Sequence, residues 1–316
     1  MRIDPEIAAL RADPAAQRRA QNAMDHTVQD WKSLPELTPI LQQFARYAAG
    51  DALEALSDLR ALVSSAGAAR SFIDTWSCRH VAGLRDEPLA QIPYRYSYSA
   101  GYGSMQLLAE HGATLSIAMY EQLAEPAEPT SAIFSDREQH EIVVAGQGEG
   151  LFSRLDPATG ALRSDRSTVS EGASFHFDCN REMRQWISVE GRLVLLQLSR
   201  TPEQANPTRE LRLSDGALLM QSDGDKRVSQ SSMALAVLGA LGRSDAVPAM
   251  QRLAASGPAH LRWEAVRQMI ALDAFSGIAA LDRIAADESD ELAAPAAQLA
   301  QQLRAQYPTL RKGEAA

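Results

Sequence analysis

Residues 131–155, SAIFSDREQHEIVVAGQGEGLFSRL, decide the fold. The apolar and β-branched runs SAIF, HEIVVAG and GLFSRL alternate with polar or glycine positions, a pattern that predicts strands joined by turns. Gly146, Gly148 and Gly150 read as hairpin glycines, because no lysine and no helix follow them as a phosphate loop requires. The rhythm extends both ways. Upstream stand YRYSYS, SMQLLAE and ATLSIAMYE; downstream stand ALRSDRSTV, ASFHF, RQWISVE, RLVLLQL, RELRL and ALLMQ, separated by turn signals at 156–160, Gly191 and Ser214-Asp215-Gly216. Many short strands at this spacing predict an antiparallel sandwich or barrel over residues 89–222.

Helical patterns flank it, so the fold class is α+β with several domains. In the N-terminal region, 1–88, Asp13-Pro14 and Thr38-Pro39 each set a capping side chain before a proline, which suits a helix start. Ala52, Leu53, Leu56, Leu59, Leu62 and Val63 make one apolar stripe of a single helix that Gly67 ends, and a further helix runs from Ala68. Residues 125–130 read as a linker. In the C-terminal region, 223–316, Val247, Met250 and Leu253 recur as Ile278, Leu281 and Ile284 at a constant offset, which predicts stacked helical hairpins. HLRWEAVRQMIALD followed by GIAALDRIAAD resembles HEAT-type repeats, and the resemblance implies an α-solenoid. Trp263 and Arg267, four apart on one helical face, are the candidate surface for a protein partner.

Composition narrows function. With 45% hydrophobic and 22% charged residues the chain can bury a core, and its net charge of -9 disfavours nucleic acid as a partner. Its apolar runs fall short of the roughly 20 residues of a membrane helix, and its charged N-terminus does not read as a secretory signal. Cys78 and Cys179 make no disulfide framework or thiolate cluster. The expected location is the cytoplasm.

EIVVAGQG, from Glu141 to Gly148, resembles the second half of the first cupin motif, and Glu171-Gly172, ASFHF, the turn at 178–181 and MRQWISV resemble the second. The resemblance implies a barrel that, in metal-binding members, gathers a His-x-His pair, the glutamate and a later histidine on one ion. Here Phe134, Ser135, Asp136 and Arg137 precede Glu141, and the returning strand carries Met183, Arg184 and Gln185. Arginine is no ligand for a divalent cation, so the expectation is a cupin-like domain without metal or other cofactor. An off-pattern alternative draws on His111, His140, Glu141, His176 and Asp178. His176 and Asp178 share a strand face, whereas the adjacent His140 and Glu141 point to opposite ones. Tyr96, Tyr98, Arg137, Arg184, Gln185 and Trp186 are the candidate lining of a pocket for a small anionic or aromatic ligand, since guanidinium groups hold carboxylates and rings supply apolar walls.

No nucleophile elbow, zinc-protease motif or P-loop occurs. The expected function is a non-catalytic ligand-sensing or protein-interaction scaffold, with a homodimer through sheet edges as one mode of assembly. The alternative is a metal-dependent oxygenase or isomerase. Sugar-sensing bacterial regulators are similar in build, but no basic DNA-reading helix appears.

Overall fold

The computed structural model describes residues 13–310, apart from 89, 123–127, 204 and 225, together with residues 5 and 8. Part of the predicted linker at 125–130 falls outside them. The chain divides into two compact units, Met1–Gln221 and Ser222–Ala316.

The first unit begins with α1 (Pro14–Lys32), α2 (Thr38–Ala48), α3 (Ser57–Ser64) and α4 (Ala66–Asp86). Asp13 caps α1 as expected, its carboxylate accepting from the Ala15 amide at 2.9 Å. Thr38 does not cap α2. It is the first helical residue, and its hydroxyl reaches back to the Leu34 carbonyl at 3.5 Å. The single helix predicted over 52–63 breaks at Leu56 into a short 3₁₀ turn and α3. The cause is tertiary: Gln43 of α2 offers its amide oxygen to the Asp58 and Leu59 amides at 2.9 and 3.1 Å and so starts a new helix. Of the predicted stripe Leu53, Leu56, Leu59, Leu62 and Val63 are buried, while Ala52, just before the 3₁₀ turn, is exposed. Gly67 lies in the first turn of α4 rather than ending a helix, because Ser65 caps that turn on the Ala68 amide.

Among the described residues ten strands follow: β1 (Tyr96–Ser99), β2 (Tyr102–Glu110), β3 (Ala113–Glu121), β4 (Ser131–Phe134), β5 (Glu138–Leu155), β6 (Leu162–Ser170), β7 (Ser174–Asp178), β8 (Glu182–Arg200), β9 (Thr208–Arg212) and β10 (Leu218–Ser222). The main sheet runs β1-β2-β3-β8-β5-β6, with β7 also on β5, and a small sheet runs β10-β9-β4. The pairings given for the main sheet are antiparallel, as expected.

The glycines of 146–150 make no hairpin. HEIVVAG and GLFSRL are one continuous strand, as are RQWISVE and RLVLLQL. The ladder between β5 and β8 shifts register near Val143, Ala145 and Glu149, and Gly146 and Gly191 take positive φ of 88° and 67°. These are bulges that bend a strand without ending it. Gly146 is required twice over, by its backbone and by a close approach: a Cβ there would stand 2.0 Å from the Arg192 carbonyl oxygen.

Alternation along β5 and β8 divides the core. Ile142, Val144, Leu196 and Leu198 pack on the helical layer with Trp31, Phe44, Tyr47 and Phe72. Val143, Leu193 and Leu195 pack on the other face with Val169 and Val189. Both faces are dry, which accounts for apolar runs in place of strict alternation. His80 sits within the helical layer, fully buried and stacked on Trp76 at 4.9 Å. Its Nδ1 lies 2.7 Å from the Trp76 carbonyl and its Nε2 3.1 Å from the Tyr94 hydroxyl, a pattern that fits a neutral ring donating at Nδ1 and accepting at Nε2.

The second unit is α5 (Lys226–Ala240), α6 (Val247–Ala255), α7 (Ala259–Leu272), α8 (Ala274–Ala285) and α9 (Ala293–Gln306). Its core takes Val247 and Met250 from α6 and their repeat-related Ile278 and Leu281 from α8. Gly277 of α8 lets that helix approach α7, where a Cβ would meet the Ile270 backbone at 2.8 Å.

Gly146→Ala is expected to destabilise the first unit by more than about 2 kcal/mol in urea unfolding, whereas the same change at the uncrowded Gly160 costs about 1 kcal/mol. Burial lowers the His80 pKa from 6.5, so the folded state disfavours its proton. Below pH 6.5 the unfolded chain binds that proton and the folded chain resists it, so stability falls with pH. Thermal melts of His80→Gln should lose this part of the acid slope.

Candidate functional site

The first residues of β5 send successive side chains to opposite faces, and two polar clusters result. Strand register assembles both. Glu141 lies opposite Phe175 of β7 and Gln197 of β8, so these three share the inner face with Gln139 and Phe177. Glu138 lies opposite Asp178 and Arg200, and His140 opposite His176 and Leu198, on the face that meets the helices.

The inner cluster centres on Glu141, which is 0% exposed. Its Oε1 accepts from Gln139 at 2.5 Å and Gln197 at 2.6 Å. Arg184 adds a forked contact, Nε to Oε2 at 3.0 Å and Nη2 to Oε1 at 2.7 Å. The guanidinium lies 4.3 Å from the Trp186 ring centre and 5.5 Å from that of Tyr120. Burial opposes the Arg184 charge, and Glu141 more than restores it. Arg184 is paired in register with Phe152, far along β5 from Glu141. In a straight ladder the two would stand roughly 35 Å apart. Their contact requires the strand pair to fold over on itself, which is the closure expected of a barrel. With both oxygens engaged by donors, Glu141 has no lone pair directed at a cation.

The outer cluster is Glu138, His140 and His176, whose ligating atoms all lie within 4.8 Å of one another. Glu138 Oε1 is 2.9 Å from His140 Nε2 and 3.9 Å from His176 Nε2, and the two imidazoles stack nearly parallel at 4.4 Å. Glu138 Oε2 accepts from Arg200 at 2.8 Å. Arg200 also donates to the Tyr47 carbonyl in the last turn of α2 and to the Asp51 carbonyl just beyond it, at 2.7 and 2.9 Å. The His140 hydrogen bond, followed by the charges of His140 and Arg200, holds the Glu138 carboxyl near a pKa of about 2 against its burial.

A cavity of about 660 Å³ opens against Phe175 and Phe177 of β7. Phe152, Phe175, Phe177 and Met183 form its apolar wall, Arg154 and Arg163 its cationic groups, and Asp156, Asp165 and Glu182 its acidic ones. Phe152 packs at 5.3 Å from Phe175 and 6.3 Å from Phe177. His176 borders this space.

The sequence-predicted residues are dispersed. Arg184 and Trp186 meet, Tyr120 joins them, and Trp186 lines a second cavity of about 200 Å³ with Tyr102 and Tyr120. Gln185 is half-buried, and its carbonyl oxygen has no partner. Tyr96 and Tyr98 are exposed on the terminal strand β1, and the Tyr98 hydroxyl donates to Glu121 at 2.5 Å. Arg137 is exposed in the turn before β5. Of the off-pattern metal set, His140 and His176 come together. Glu141 is held by Arg184, His111 stands exposed in the β2–β3 turn beside Glu110, and Asp178 caps the Asn180 amide. In the second unit Trp263 is half-buried against the helical core and Arg267 pairs with Glu264. Sequence reasoning missed Glu138, Arg200 and the three phenylalanines. Glu138 was visible as the residue two before His140, hence on its face.

No family model matches the chain, and no curated protein matches it in sequence. Solved structures do. It is similar to CapF with the inhibitor 3-isopropenyl-tropolone at 9% identity and a TM-score of 0.27, over 35% of this chain and 31% of that one. It is also similar to Streptomyces PAC13 with uridine at 15% identity and TM-score 0.26, over 38% of this chain and 86% of that one. Ectoine synthase from P. lautus matches at 10% identity and TM-score 0.24, over 42% and 85%. Among the described residues no helix is long and apolar enough to cross a membrane.

Removing either partner of the inner pair strands a buried charge. Glu141→Ala and Arg184→Ala are each expected to cost about 3–5 kcal/mol in denaturant unfolding. The paired change Glu141→Leu with Arg184→Met should recover most of that loss, a coupling that a double-mutant cycle reads directly.

Proposed function

We propose that the first unit is a cupin-like domain that binds a small molecule without catalysing its conversion, and that its ligand carries an aromatic or apolar body and an anionic group. One observation carries the reading: a cavity of about 660 Å³ has a wall of Phe152, Phe175 and Phe177 and offers the Arg163 guanidinium, while its other arginine, Arg154, pairs with Glu182. Apolar walls with a few convergent polar groups are the usual make-up of a ligand site. The charged centre of the inner face, Glu141 with Arg184, is a mutually satisfied ion pair rather than a free acid or base. The HEAT-like helical unit supplies a partner surface around Trp263 and Arg267. A second reading, a metal-assisted oxygenase or isomerase, is favoured by the two imidazoles and carboxylate of the outer cluster; Glu138 and His140 face the helices rather than the phenylalanine wall, so it stands second.

The test is native mass spectrometry of protein purified from its own source, followed by thermal shift with a panel of aromatic carboxylates. A retained small molecule is expected, and a ligand at a hundredfold excess over its Kd stabilises the fold by about 2.7 kcal/mol. Phe175→Ala and Arg163→Ala should each weaken binding about tenfold or more. A cavity that retains nothing and answers to no member of the panel at millimolar concentration contradicts the proposal.

A further inference from the structure

We infer that Glu138, His140 and His176 form a binding site for a late first-row divalent cation of the zinc class, on the outer face of the barrel sheet, with His176 also bordering the cavity proposed to take the small molecule. The donor set is two imidazoles and one carboxylate, a combination that suits zinc and its neighbours and ill suits the all-oxygen preference of calcium or magnesium. The strands themselves aim it. His140 and His176 are opposite one another in the β5–β7 ladder and Glu138 is two residues from His140, so all three side chains leave one face.

The geometry is close to that of a three-ligand site. Metal bonds of about 2.0–2.2 Å set neighbouring donors roughly 3.3 Å apart around a tetrahedral ion. Glu138 Oε1 already stands 2.9 Å from His140 Nε2 and 3.9 Å from His176 Nε2. The remaining adjustment falls on His176, which is 58% exposed on a short strand and free to turn, while His140 is held at 9%. The ion would take the place of the proton now shared between His140 and Glu138. Arg200 fixes the orientation: its bond to Oε2 at 2.8 Å turns Oε1 toward the imidazoles and keeps the carboxylate ionised. Its positive charge opposes a cation, and the two imidazoles with the remaining carboxylate oxygen supply the affinity.

A second observation sits alongside. The Tyr47 side chain is 0% exposed, and its hydroxyl lies near Glu138, which acts on it by charge and as a loose hydrogen-bond partner short of full geometry. Three protein ligands leave the fourth position of a tetrahedral ion to water. A buried hydroxyl so loosely held beside the carboxylate ligand is a partner for such a water.

The experiment uses the tag-free full-length chain, stripped with a chelator and titrated with Zn²⁺ in competition with a chromophoric indicator. Co²⁺ loading is followed by its visible absorption. One equivalent of Zn²⁺ at micromolar affinity or better is expected, with the intense cobalt bands of a four-coordinate site. His176→Ala alters an exposed side chain and should fold normally by circular dichroism while binding at least about 100-fold more weakly. His111→Ala, at an exposed histidine outside the cluster, should bind like the parent. Absence of stoichiometric binding, or binding that His176→Ala leaves unchanged, overturns the site. Because the readout is the ion alone, this result is independent of whether the cavity takes a small molecule.

Discussion

The β5–β8 ladder and the ion pair that closes it are the constraint on which the first unit depends. Two strands of this length cannot remain straight in a compact unit. Bulges and positive-φ glycines bend them until Arg184 at one end reaches Glu141 at the other. Once bent, the ladder encloses Val143, Leu193 and Leu195 and turns Ile142, Leu196 and Leu198 outward to the helices. Charge at the closure is expensive to bury, so its value lies in specificity: a slip of one residue would move Glu141 to the helical face and leave Arg184 buried alone.

The helices are therefore a wall of the β domain. Their apolar stripes meet residues from four strands in a single core. Two arginines tie the layers where packing ends. Arg200 binds carbonyls in and just beyond the last turn of α2, and Arg70 of α4 donates to the Val144 carbonyl at 2.7 Å, at the bulged stretch where the ladder of β5 is interrupted.

The antiparallel β domain, its strand content and the flanking helices were legible because period-2 and period-3.6 patterns are local. The continuity of β5 and β8 was not. A glycine in a hairpin and a glycine in a bulge look alike in sequence, and only the partner strand, here the Arg192 carbonyl against Gly146, decides between them. The break at Leu56 was hidden for the same reason, since its cap is contributed by Gln43 from another helix. At the site, the opposite facing of His140 and Glu141 followed from alternation alone. That His140 would meet His176 followed only from the pairing of β5 with β7, which no single sequence discloses. The phenylalanine wall was overlooked because Phe152, Phe175 and Phe177 come from two separate strands and read individually as core.

Glu138 and Glu141 show how little separates a structural carboxylate from a chemically available one. They are three residues apart on one strand, and each faces an arginine from β8. Glu141 receives that arginine on both oxygens, with two glutamine amides besides, and is sealed from solvent. Nothing it does can depend on exchange with a ligand. Glu138 gives one oxygen to Arg200 and leaves the other among imidazoles, one of them open to water. A hydrogen bond between a carboxylate and an imidazole is readily replaced by a shared cation, whereas a forked, buried arginine pair is not. The parity of the strand thus sorts the two acids by role: one secures the barrel, and the other keeps a coordination site within reach of solvent.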